Sequence, residues 1–88
     1  MPNITSQAKR DRQNKERRLR NKARRTNVRT HMKRFHKAVD DGDAAAAQEH
    51  YRKAARRLDQ AASKGVLHRN YAANKKSRMA KRLESLSS

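Results

Sequence analysis

Apolar side chains recur along the chain at spacings of three and four residues, which is the period of one face of an α-helix. Strand alternation has no comparable match. Three such series stand in the sequence: Val28, Met32, Phe35 and Val39; Ala47, Tyr51, Ala54, Leu58 and Ala61; and Ala72, Met79, Leu83 and Leu86. The third series is interrupted by Lys76, whose aliphatic stem can lie along an apolar surface. The pattern predicts an all-α fold, a three-helix bundle.

Glycines separate the three series. Gly42 and Gly65 are the two glycines of the chain, and the single proline is Pro2. Asp43 follows Gly42 and is suited to cap the next helix, because its carboxylate can accept backbone N–H groups of the first turn. We expect one domain over residues 1–88, with the first helix reaching about residue 41, the second covering about 44–63 and the third about 67–85.

The chain upstream of Val28 has too few apolar residues to be packed against the other helices. It offers only Ile4, Ala8, Leu19 and Ala23 over more than two dozen positions. We therefore expect residues 1–27, the basic arm, to project from the bundle as an extended, highly basic part of the first helix. Since no burial offsets the entropy of ordering it, the arm is predicted to be disordered in the free protein and helical when bound.

The composition excludes several classes of protein. With 88 residues the chain is too short for a large catalytic fold, and 14 of its apolar residues are alanines, so the core is thin. Such a composition usually folds only with a partner. There is no cysteine, which excludes disulfides and thiolate chemistry, and no apolar run long enough for a signal peptide or membrane span. We expect a soluble, intracellular protein.

The net charge of the chain is the property that most clearly indicates its partner. Lys and Arg number 25 against 8 acidic residues, giving a net charge of +17 and a pI of about 11.6, so the partner is expected to be a polyanion. The net charge is +12 over residues 1–37, −1 over 38–63 and +6 over 64–88. The sequence thus predicts two basic surfaces on either side of a nearly neutral middle helix.

The cations of the first helix fall at all azimuths around its axis. One stripe beside the apolar face contains Lys15, Arg18, Lys22, Arg25, Arg29 and Lys33, whereas Lys9, Arg12, Arg17, Arg20 and Arg24 point elsewhere. In the third helix Lys75, Arg78 and Arg82 form a second stripe, with Lys76 and Arg69 on the opposite flank. Charge on all sides suggests phosphates approaching from several directions, as inside a folded RNA. The alternatives are a disordered segment making nonspecific contacts and an ordinary solvated face, which the high net charge disfavours.

Other chemistry is weakly indicated. His31 and His36 are five residues apart, which does not place them on one helix face as a zinc site requires. The cluster of Asp40, Asp41 and Asp43 lacks EF-hand spacing and is better explained as helix punctuation. Tyr51 is expected in the core, with its hydroxyl at the edge. Tyr71 is open to two interpretations, packing in the bundle or stacking on an RNA base.

Two rival classes of protein explain less of the sequence. A basic-region leucine zipper also places a cationic helix before spaced apolar residues, but only about two heptads precede Gly42 and no leucine repeat is present. A cationic helix lying on a membrane needs a broad apolar face with Trp or Phe, which the basic arm lacks. An enzyme is the least expected class, because no catalytic constellation is visible.

One long motif consists of Ala61-Ala62-Ser63-Lys64-Gly65-Val66-Leu67-His68-Arg69-Asn70, then Ala72-Ala73 and Lys75-Lys76-Ser77-Arg78-Met79-Ala80. Together with Asn3-Ile4, Leu19-Arg20-Asn21-Lys22 and Phe35, it resembles the bacterial ribosomal protein S20 family of the small subunit. The resemblance implies a three-helix bundle with a long first helix that is not an enzyme. It also implies direct binding of 16S rRNA early in small-subunit assembly, near the foot of the body.

The resemblance and the charge pattern together define the expected RNA contacts. They are Lys9, Arg10, Arg12, Lys15, Arg17, Arg18, Arg20, Asn21, Lys22, Arg24, Arg25, Arg29, Lys33, Lys64, His68, Arg69, Asn70, Lys75, Lys76, Ser77, Arg78 and Arg82. Pro2 stands where the family usually has alanine, and Asn74 where it commonly has arginine, which weakens any phosphate contact at position 74. The expected partner is 16S rRNA in cytoplasmic ribosomes, without a cofactor, metal, small-molecule substrate, membrane or second copy of the chain.

Overall fold

The chain forms three α-helices and, within the part described, no strand. A computed structural model describes residues 3–87, with side chains from 8 to 86. Helix α1 spans Asn3–Asp40, α2 spans Ala44–Ser63 and α3 spans Arg69–Ser87. The all-α, three-helix prediction is confirmed.

Helix α1 is much longer than its partners. Its 38 residues correspond to about 57 Å at the α-helical rise, against about 30 Å for α2. The molecule is accordingly elongated, with principal extents of 68 × 21 × 13 Å. From residue 8 to residue 27 every side chain is exposed except the half-buried Asn21. The described part of the basic arm therefore extends past the bundle as a bare helix.

The core is built around α2, which packs against both other helices. Its members include small alanines of α2, which let the neighbouring helices approach closely. The buried residues are Val28, Phe35, Ala38, Ala47, Ala54, Leu58, Ala61, Val66, Ala72 and Met79. Met32, Val39, Tyr51, Leu83 and Leu86 pack against them partly buried. The apolar series of the sequence therefore face the core, and Ala38 and Val66 join them from outside those series.

The α1–α2 connection has the geometry that its sequence predicts. Gly42 has φ +73°, the left-handed region in which a side chain is strained. The Asp43 carboxylate accepts a hydrogen bond from the backbone N–H of Ala46 at 3.0 Å, which caps the N-terminus of α2. Helix α1 ends at Asp40, one residue before the predicted end.

The α2–α3 connection differs from the sequence prediction. Val66 follows Gly65 and inserts into the core, and its N–H donates to the carbonyl of Ala61 at 2.9 Å. Nδ1 of His68 then accepts the N–H of Asn70 at 3.1 Å, in the manner of an N-cap. For this reason α3 begins at Arg69, two residues after the predicted start. It continues to Ser87, because Leu86 in its last turn still packs on the core.

Candidate nucleic-acid interface

Basic residues of α1 and α3 line one groove between the two helices. Its volume is about 380 Å³, and its lining is Arg29, Met32, Lys33, His36, Lys75, Arg78 and Met79. Among the described residues, none of the groove's four lysines and arginines takes part in an ion pair. The sequence placed these cations on two separate helical stripes, and the fold brings the stripes together. We call this site the α1–α3 groove.

Tyr71 lies beside this groove and is not part of the core. Its side chain is 41% exposed, and Nζ of Lys75 lies 5.4 Å from the centre of its ring. This distance is within the range of a cation–π contact. This exposure favours the stacking interpretation over packing in the bundle. Tyr51, by contrast, is partly buried with its ring centre 6.1 Å from that of Phe35, as expected for a core residue.

The arm cations stand along the same helix as the groove cations. Because α1 is continuous, its predicted stripe runs without interruption from Lys15 to Lys33. Arg25 links the arm to the bundle: its Nη2 donates to the backbone carbonyl of Val66 at 3.5 Å. The remaining predicted arm cations are exposed, namely Lys9, Arg10, Arg12, Arg17, Arg18, Arg20, Lys22 and Arg24.

The predicted RNA contacts around the start of α3 are exposed, and two of them also shape the backbone. Lys64 is the C-cap residue of α2, and His68 caps α3 through Nδ1. Since Nδ1 accepts a hydrogen bond, the proton of the neutral His68 ring is on Nε2. Arg69, Asn70 and Ser77 are exposed.

Two of the residues predicted to contact RNA form ion pairs with carboxylates of the protein itself. Nζ of Lys76 lies 2.7 Å from Oδ1 of Asp59 on α2. Arg82 donates to Oδ1 of Asp40 and also contacts His36, so it joins α3 to α1. An RNA phosphate would have to share or displace these carboxylates to reach either cation.

His36 forms part of this connection and is electrostatically disfavoured as a cation. Burial lowers the pKa of His36 most, and the nearby Arg82 lowers it further, while Asp40 opposes the shift. Arg82 has only donors, so Nδ1 of His36 must be unprotonated to receive its hydrogen bond at 2.7 Å. His36 is therefore the neutral imidazole in this arrangement.

A further basic cluster, not identified from the sequence, surrounds His31 between α1 and α2. Its cations are Lys53, Arg56 and Arg57 of α2, which line a groove with His31, together with Arg34 of α1. The net charge of −1 over residues 38–63 conceals this cluster, because that segment also contains the acids at the α1–α2 connection. The spacing of Lys53, Arg56 and Arg57 is the sequence pattern that indicates the cluster, because it places all three on one flank of the helix.

The described residues meet neither the requirements of a metal site nor those of a membrane-spanning helix. Over residues 3–87 no group of three His, Asp or Glu side chains is placed to hold a metal ion. Nor is any helix of that range long and apolar enough to cross a membrane. Within the aspartate cluster, Asp43 caps α2, which agrees with a role in ending and starting helices, whereas Asp40 pairs with Arg82 of α3.

Known proteins are similar to this one over nearly the whole chain. The family model described as ribosomal protein S20 matches residues 2–84. The protein named small ribosomal subunit protein bS20 of Salinispora tropica is 54% identical over 87 residues, covering 99% of each chain. Its namesake in Frankia casuarinae is 56% identical over 81 residues, covering 92% of this chain and 91% of the relative. That of Cutibacterium acnes is 51% identical over 86 residues, covering 98% of each.

The match extends over both the exposed arm and the bundle. The matched range spans the positions of all four cations of the α1–α3 groove and of Gly42 and Gly65 at the two connections. The matched proteins are structural components of the ribosome and not enzymes. From this agreement over nearly its full length, the chain belongs to the ribosomal protein S20 family.

Proposed function

We propose that this protein binds 16S rRNA directly within the small ribosomal subunit in the cytoplasm and stabilises the RNA fold during assembly. The observation that supports this proposal is the α1–α3 groove, in which four cations from two helices converge without carboxylate partners among the described residues. Lys and Arg that neutralise phosphates release counterions and lower the repulsion between RNA segments.

The groove is suited to an RNA backbone more than to isolated ions. Arg29 and Arg78 stand on facing helices, and an arginine can fork to two phosphate oxygens, whereas Lys33 and Lys75 act as point charges. Because two helices contribute the cations, their arrangement exists only in the folded bundle. Binding of RNA therefore also stabilises the fold of the protein, by mass action on the folded state.

The basic arm adds contacts along the RNA without reading its sequence. Its exposed cations reach phosphates on several sides of one helix, which positions a protein but carries little base specificity. Tyr71 supplies an exposed aromatic ring on which a base can stack beside Lys75. The mechanism is electrostatic and architectural.

A competition binding experiment with the full chain tests this function. Labelled 16S rRNA fragments compete with unrelated duplex DNA and with anionic liposomes over a salt titration. Wild type is compared with R29Q/R78Q, which removes two groove charges, and with the matched control R52Q/K81Q, which removes two exposed charges outside the groove. We expect wild type and the control to prefer a particular rRNA fragment and R29Q/R78Q to lose that preference. Equal binding of wild type to every polyanion would contradict the proposal.

A further inference from the structure

The α1–α2 face, defined by His31, Arg34, His50, Lys53 and Arg57, lies apart from the α1–α3 groove. We propose that this face is a second phosphate-binding site, in which Arg34 and Arg57 hold an RNA phosphate next to His31. The inference rests on the proposed function for the class of ligand, and it assigns that ligand to residues outside the predicted RNA contacts.

The face carries positive charge with little compensation. Lys53 forms an ion pair with Glu49 at 3.3 Å, but both side chains are more than half exposed, so the pair is weak. Among the described residues, Arg34 and Arg57 take part in no ion pair. Two cations of α3 differ in this respect, because Lys76 forms an ion pair with Asp59 and Arg82 forms one with Asp40.

Adjoining grooves give the face a concave shape. One, of about 460 Å³, is lined by His31, Lys53, Arg56, Arg57 and Gln60. The next, of about 260 Å³, lies between the arm and α2 and shares Arg57 and Gln60 with the first. The Arg57 guanidinium donates to Oε1 of Gln60 at 3.3 Å, which orients it between the two grooves and leaves further N–H donors unused.

The composition of the face favours an RNA backbone over a protein partner. A stable protein interface needs buried aromatic or aliphatic anchors. Among the described residues the exposed large apolar side chains are Leu19 and Tyr71. Leu19 lines a long groove that also reaches His31 and Arg34, but its side chain is 60% exposed and so is not a buried anchor. A phosphate backbone requires only the cations that are present.

The two histidines supply an independent observation. Nδ1 of His31 and Nδ1 of His50 are both buried without a hydrogen-bond partner. Burial lowers the pKa of His31 most, followed by Arg57, Arg34, Lys53 and His50. The charged groups around His31 on α1 and α2 are these residues together with Arg56, which lines the same groove, and Glu49, which pairs with Lys53. An approaching phosphate adds negative charge and opposes the shift, so binding is expected to raise the pKa of His31.

The test uses the full chain and two RNA probes, the preferred 16S rRNA fragment and a generic RNA duplex. The variant R34Q/R57Q removes two charges from the face, and R52Q/K81Q again serves as the matched control. With the rRNA fragment we expect R34Q/R57Q to bind on the order of 10-fold more weakly than the control, with a salt slope smaller by about 1 to 2. Equal weakening of both variants would overturn the proposal.

The protonation of His31 gives a readout that loss of net charge alone does not produce. The titration of its ring protons is followed by NMR in the free protein and with each RNA, and assigned with H31Q. We expect the His31 pKa to rise when either RNA binds the wild type and to rise far less in R34Q/R57Q. An unchanged His31 pKa with both RNAs overturns the proposal.

The two proposals fail in different ways. If wild type does not prefer any rRNA fragment but His31 still responds to the generic duplex, the proposed function fails and the phosphate site stands. If R29Q/R78Q loses the rRNA preference while R34Q/R57Q matches the R52Q/K81Q control, the function stands and the phosphate site is excluded. Circular dichroism and thermal unfolding confirm that each exposed substitution leaves the helices intact.

Discussion

Nη1 of Arg82 on α3 lies 2.7 Å from Nδ1 of His36 on α1, and Nη2 of the same guanidinium contacts Asp40. These contacts join the two helices that touch each other least, since α2 provides most of the packing for both. The hydrogen bond requires a neutral imidazole, because an arginine can only donate. One of the two contacts that Arg82 makes with α1 therefore depends on the protonation state of His36.

Acidification is expected to destabilise the fold. His36 and His31 both have pKa values lowered from 6.5, so the unfolded chain binds protons more readily than the folded one. Their contribution to stability is complete above pH 6.5 and is lost as pH falls from there through the folded pKa values. Thermal unfolding should show Tm decreasing below about pH 6.5, before the carboxylates titrate. In H36Q, whose amide oxygen still accepts from Arg82, the decrease should be smaller; a Tm independent of pH above 5 would contradict this.

Leu58 is expected to be a main determinant of stability. Its side chain is fully buried in the central helix, where truncation leaves a cavity in a thin core. Leu58→Ala should lower the free energy of unfolding by about 2–5 kcal/mol, measured by urea denaturation. The chain offers a matched control in Leu19, which is 60% exposed on the arm. Leu19→Ala should change stability by less than about 0.5 kcal/mol, and equal effects of the two substitutions would refute the described core.

Tyr71 is expected to affect RNA binding and not folding. Since its ring is exposed, Tyr71→Ala should leave Tm nearly unchanged. Loss of a stacked base should weaken binding to the preferred rRNA fragment by about 1–3 kcal/mol, measured by titration at fixed salt. Tyr71→Phe keeps the ring and should bind like wild type. If the Phe variant is as weak as the Ala variant, the hydroxyl and not the ring makes the contact.

The basic arm is expected to open readily in the free protein. Its side chains have no core to pack against, and the hydrogen bond from Arg25 to Val66 ties only its last turns to the bundle. Native-state amide exchange should therefore show little protection over residues 9–25 and strong protection in α2. Adding rRNA should slow exchange in the arm. Strong protection of these residues without RNA would contradict the prediction.

The elements of this fold could be predicted from the sequence because their signals are local. Gly42, Asp43 and Gly65 mark the helix ends, and the 3,4 spacing marks the core faces. Helix α3 starts two residues after the predicted position because it is capped by His68, and histidine is not among the usual N-cap residues. Val66 stands alone between two helical series, so periodicity does not mark it as a core residue.

The arrangement of the interface depends on how the helices pack, which periodicity does not encode. The stripe around Arg29 and that around Arg78 were each visible, but their meeting in one groove follows from the placement of α1 and α3 on α2. The link between Arg82 and His36 spans 46 positions of the sequence. The net charge of a chain segment does not reveal the cluster around His31, because residues that share a segment need not share a helix face.

The absence of glycine and proline from the interior of α1 fixes the rotational phase between the arm and the groove. Inserting one residue between Leu19 and Val28 would turn every cation upstream by about 100° and shift it by about 1.5 Å. Inserting seven residues would return the stripe to within about 20° of its original direction, about 10 Å farther along the axis. The direction in which the arm cations point relative to the groove is therefore better preserved by an insertion of two helical turns than by an insertion of a single residue.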